Sequence, residues 1–131
     1  MSVEYTYDEE NNVLYTRFFG VVVEKDFRDQ AENVAADPRI KQGVRELVDL
    51  SGIEDVQAEP KALETNIRID IHHSEKLKGM RTAIIAPTDL LYGFSRMYQS
   101  LVEVRGAPST VEVFRNEKDA RKWLGLESDG D

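Results

Sequence analysis

The chain has 131 residues, 40% of them hydrophobic and 32% charged, with a net charge of −8. That length suits one domain with a sizeable core, and that balance is neither disordered nor fibrous. The acidic charge argues against nucleic-acid binding, and the lack of cysteine removes disulfides, thiolate catalysis and zinc–thiolate sites.

No stretch approaches the roughly 20 apolar residues of a membrane span, so stable membrane insertion is not expected. Met1-Ser2-Val3-Glu4 has neither the basic flank nor the apolar core of a secretion signal, which predicts a cytoplasmic location. Glu127, Asp129 and Asp131 lie beyond Leu126. Residues 126–131 are therefore expected to form a frayed acidic tail on a single domain covering residues 3–125. The nearest basic cluster is Lys76, Lys78 and Arg81, and cations at a helix–strand junction suit a solvated helix end.

The predicted elements open with a hairpin. Val3–Tyr7 alternates apolar and polar, Val13–Phe19 is a second β-rich run, and Asp8–Asn12 between them is a polar turn. Gly20 is expected to break the second strand. A helix follows from near Glu24, with Phe27, Ala31, Val34 and Ala35 as its buried stripe, and Asp37-Pro38 ends it. Arg45–Leu50 is a third strand that Ser51-Gly52 is expected to close, with a loop running on through Gln57. In Ala62–Ser74, Leu63, Ile67 and Ile71 repeat at helical spacing, whereas Ile67, Ile69 and Ile71 also alternate like a strand. Glu59-Pro60 before the segment and Lys76–Lys78 after it favour helix.

Thr82–Pro87 is the most apolar run and fits a buried parallel strand, stopped by Pro87. Thr88 or Asp89 can cap the next helix, whose stripe is Leu90, Leu91, Phe94, Met97, Tyr98, Leu101 and Val102. Thr110–Phe114 is a fifth strand, alternating and so expected at an edge. Asn116 caps a last helix, Glu117–Leu124, that Gly125 ends. The pattern predicts an α/β domain. Its sheet is mixed and largely parallel, of four or five strands, with an N-terminal β-hairpin and about four helices. Ile84, Ile85, Phe94, Leu47 and Trp123 are its expected core.

Two features of this pattern point to a family. Val48-Asp49-Leu50-Ser51-Gly52-Ile53 resembles the strand-and-turn of STAS domains (sulphate transporter and anti-sigma antagonist). The opening hairpin, Ala83–Pro87, and the closing Val113–Glu117 with Ala120 and Trp123-Leu124-Gly125 resemble the SpoIIAA-like branch of that superfamily. The likeness covers roughly residues 3–125. It implies a four- or five-stranded sheet wound with helices, a fold shared with lipid-binding CRAL-TRIO domains. It also implies a regulatory role, which in the anti-sigma antagonists works by phosphorylation of a serine at a helix N-terminus. The corresponding stretch here, Glu54–Pro60, has no serine or threonine, so that switch does not carry over.

No catalytic constellation emerges, and no cofactor or metal site is expected. His72 and His73 are the only imidazoles, and adjacent helical residues diverge by about 100°. Gly93-Phe94-Ser95-Arg96-Met97 lacks the last glycine of a nucleophile elbow and lies within a helix. There is no phosphate-binding glycine loop. The expected function is a non-enzymatic STAS-like module acting on a protein partner. The alternative is a carrier or sensor of a small apolar or lipid-like ligand. Binding is expected at the carboxyl ends of the strands, through Asp49, Ser51, Thr88, Asp89 and Tyr92. The face bearing Val3, Tyr5 and Tyr7 offers a homodimer contact if no helix covers it.

Overall fold

The hairpin forms as its alternation predicts. β1 (Val3–Asp8) and β2 (Val13–Val23) pair antiparallel, with Val3 opposite Phe18 and Asp8 opposite Val13. A computed structural model supplies the coordinates and describes residues 2–126. Of the tail expected over residues 126–131 only Leu126 is described, partly buried against the cluster of Leu47, Ala83 and Leu124, with its N–H donating to the Arg121 carbonyl. Residues 127–131 lie outside the described residues. The chain continues through α1 (Glu24–Ala36), β3 (Arg45–Gln57), α2 (Lys61–His72), β4 (Arg81–Ile85), α3 (Asp89–Arg105), β5 (Thr110–Phe114) and α4 (Glu117–Leu124). The five strands lie in the order β1-β2-β3-β4-β5, and every pairing after the hairpin is parallel. β5 is at an edge, as its alternation suggested.

Two expected breaks do not occur. Gly20 does not end β2: it takes φ 66° inside the strand, where the β2–β3 register shifts. Ser51-Gly52 does not close β3 either, and the expected loop through Gln57 is strand. β3 outruns β4 and stays paired with β2 as far as Val23 opposite Gln57, absorbing one extra residue at each of two bulges. Bulges keep such a long pair twisted and in register despite the glycines. The ambiguous segment after Pro60 is helical.

Helices α1, α2 and α3 cover one sheet face and α4 covers the other. On the first face, Phe18, Val48, Ile84, Val111 and Val113 meet Phe27, Ile67, Leu91 and Val102. On the second, Leu47, Ala83 and Ile85 meet Ala120 and Leu124. Ile84, Ile85 and Leu47 are buried as expected. Phe94 and Trp123 are only partly buried, packed at the margins of the two clusters. Leu90 does not join the α3 stripe and is 76% exposed, because the buried face runs Leu91, Ser95, Val102.

The face of Val3, Tyr5 and Tyr7 is taken up within the chain. Val3 is buried, and Tyr5 and Tyr7 pack against the cluster of Leu14, Val34 and Ile40. Their hydroxyls donate to Asp37 Oδ2 (3.0 Å) and to the Arg39 carbonyl (2.9 Å). Asp37 also holds Arg39 at Nε and Nη2, which keeps its carboxyl well below the usual range. That face is therefore largely covered within the chain, with Tyr5 and Tyr7 half-buried.

Candidate functional site

Helix α2 packs against α1 and α3 and bridges them across the sheet face. Beneath it lies a cavity of ≈ 110 Å³. The sheet provides its floor through Phe18, Glu46, Val48, Leu50, Thr82 and Ile84; α1 adds Phe27, Gln30 and Val34, α2 adds Leu63, Asn66 and Asp70, and α3 adds Phe94, Ser95 and Tyr98. The walls are mainly aliphatic and aromatic, with a polar group at one end. That combination is the ordinary make-up of a small-molecule site.

Strand parity puts Glu46 there. It alternates with Leu47 and so shares the inward face with Val48 and Leu50, a carboxylate in the register of a core residue. Buried carboxylates need donors, and two threonines from flanking strands supply them. Thr16 Oγ1 donates to Glu46 Oε2 at 2.8 Å, and Thr82 Oγ1 makes a long 3.4 Å bond to Oε1. Gln30 Nε2 in turn donates to Thr16 Oγ1 at 3.0 Å, so a chain of donors ends on the carboxylate. Burial still raises the Glu46 pKa, with the two threonine bonds opposing it.

Asp70 is one step further along the stripe of Leu63 and Ile67, seven residues from Leu63. Burial, then repulsion by Glu46, pushes its carboxyl up to about 7. Tyr98 stays a phenol well past its usual pKa because of burial and then the charges of Asp70 and Glu46. Asn66 Oδ1 is buried on the same wall with no hydrogen-bond partner among the described residues. A polar atom in that position is normally satisfied, so it marks a place where a donor belongs.

The five residues expected to bind do not line this cavity. Asp49 alternates with Val48 and Leu50 and so faces the α4 side, where its Oδ1 accepts from Ser51 N (2.9 Å) and Ser51 Oγ (2.6 Å). Thr88 caps α3, accepting from Leu91 N at 3.2 Å. Asp89 is exposed and pairs with Arg115 at 2.9 Å, and the Arg115 guanidinium lies 4.2 Å from the Tyr92 ring centroid. Thr88, Asp89 and Tyr92 thus meet at the start of α3, and Asp49 with Ser51 form a separate pair within β3. Missed by residue-type reasoning were Glu46, Asn66, Asp70, Ser95 and Tyr98. Their signal was a polar side chain in a core register: Ser95 sits four residues after Leu91, and Tyr98 four before Val102.

His72 ends α2 and His73 caps it, their rings 5.0 Å apart beside Glu32 and Ala35 of α1. Among the described residues no group of three or more His, Asp or Glu is gathered to hold a metal. No helix among them is long and apolar enough to cross a membrane.

A family model described as SpoIIAA-like matches residues 13–125. Among solved structures, the chain is similar to an uncharacterised DUF3478-family protein with a SpoIIAA-like fold from Shewanella loihica PV-4. The TM-score is 0.60 at 17% identity, with 94% of each chain covered, a likeness of fold. No curated protein matches.

Proposed function

The chain belongs to the SpoIIAA-like family, and we propose that it is a non-enzymatic binding module that takes a small, mainly apolar ligand into the cavity beneath α2. The observation that carries this is the cavity itself, apolar-walled with an unpartnered acceptor at its polar end. A cavity of ≈ 110 Å³ holds three or four waters at ~30 Å³ each, or a ligand near the size of benzene, which fills an engineered cavity of about 150 Å³. Occupancy would bear directly on α2, because this helix roofs the cavity. The phosphorylation used by anti-sigma antagonists is not available in the same place, since α2 starts from Pro60 with no hydroxyl in Glu54–Glu59. Regulation is therefore proposed to follow ligand occupancy.

A second function, binding of a protein partner at the start of α3, is favoured by Leu90. It is an exposed apolar side chain beside the Asp89–Arg115 pair and Tyr92. Native mass spectrometry of freshly purified protein, with a toluene titration, separates the two. The ligand-binding module should carry an added small mass or take up toluene. Ser95→Leu, which fills the cavity from the buried face of α3, should abolish either signal without unfolding the chain. A bare mass that toluene leaves unchanged would sink the ligand function. If that bare chain co-purified with one stoichiometric protein and lost it on Leu90→Ser, the partner function would replace it.

A further inference from the structure

Granted the binding function above, the polar end of the cavity says what kind of ligand belongs there. Three of its side chains, Glu46, Asp70 and Asn66, offer acceptor oxygens, beside the hydroxyls of Ser95 and Tyr98. Glu46 already accepts at both oxygens, from Thr16 and Thr82. Asp70 lines the cavity beside it, half-buried, and Asn66 Oδ1 is buried with no partner among the described residues. Among the described residues no Lys, Arg or His lines the cavity, so no side-chain cation there offsets the two carboxyl groups.

An anionic head would meet two carboxyls and no counter-charge. A hydroxyl brings one donor and leaves the other acceptors unmet. A primary ammonium brings three donors and the missing positive charge on one compact atom. We propose that the cavity selects a small primary amine with an apolar body, its ammonium seated among Glu46, Asp70 and the side-chain oxygen of Asn66. The aromatic wall formed by Phe18, Phe27 and Phe94 then receives the hydrocarbon.

The test is calorimetric titration of the full chain with n-butylamine, 1-butanol, butyrate and toluene, at about pH 8, where an aspartate with a pKa near 7 is mostly ionised. Butylamine should bind at least roughly tenfold more tightly than butanol, as charge-assisted bonds are the stronger ones, and butyrate should not bind. Asp70→Asn and Glu46→Gln keep the shape of the cavity. Each should remove most of the amine's advantage and leave toluene binding unchanged. If toluene binds but the amine is no tighter than the alcohol, or if butyrate binds as well as either, amine selection is overturned and the binding module stands. If none of the four binds the folded chain, both are overturned.

Discussion

Asp70 is a residue whose chemistry the fold alters strongly. Its carboxyl is pushed up to about 7 by burial and by Glu46, from an ordinary 3.8. Between those values the folded chain holds a proton that the unfolded chain releases. The stabilisation from that proton is complete below the unfolded pKa and is lost as pH rises through the folded one. At about 1.4 kcal/mol per pKa unit, the window of roughly three units amounts to on the order of 4 kcal/mol. Asp70→Asn has no proton to lose. Its stability should be flatter than the parent's from about pH 5 to 8, and it should be the more stable of the two at the upper end. Urea denaturation across that range measures both. Parallel profiles would mean that Asp70 does not titrate inside the cavity.

Among the elements, α2 is the one held differently from the rest. Its neighbours are helices, and side-chain ties clamp each end of it. At the start, Arg105 from α3 makes two bonds to Glu64, at 2.9 and 3.0 Å. Just past the other end, Lys76 Nζ donates to the carbonyls of Ala35 and Asp37 at the end of α1. The Arg105–Glu64 pair is partly exposed, at 49% and 30% for the two side chains, and pairs of that kind contribute under about 1 kcal/mol. Arg105→Ala should therefore lower global stability only slightly. Its local effect should be larger, because α2 has few other ties to the sheet and local opening tracks local contacts. Amide exchange in α2 should speed up while β4 amides keep their protection. Uniform acceleration across both elements would show that α2 does not open separately.

For the whole molecule, the two-sided sheet sets both stability and the site. β4 lies between β3 and β5 with Ile84 on the cavity face and Ile85 on the α4 face. Ile84→Ala should cost on the order of 2–5 kcal/mol, since a central strand roofed by helices relaxes little around a lost side chain. Because Ile84 also lines the cavity, the same change should enlarge it and admit a bulkier apolar ligand than toluene. Thermal denaturation reads the first effect and a naphthalene titration reads the second. An unchanged melting temperature would contradict the central place of this strand.

The sequence by itself determined the order of elements and the fold class. Period-2 and period-3.6 patterns are local, and Thr88, Asn116, Gly106 and Gly125 punctuate them by chemistry within one or two residues of the helix ends. It also carried the family likeness. Strand length escaped it, because Gly20 and Ser51-Gly52 are local breakers that pairing between β2 and β3 overrides. The site escaped it for a related reason. Carboxyl ends of strands are a general location, and they led to Asp49 and Ser51, which alternation turns to the far face. Glu46, Asn66, Asp70 and Tyr98 come from three different elements, and nothing in the spacing between them encodes that they meet. Only the placement of α2 across α1 and α3 leaves a gap above the sheet, and only that gap turns polar residues in core positions into one cavity with a polar end.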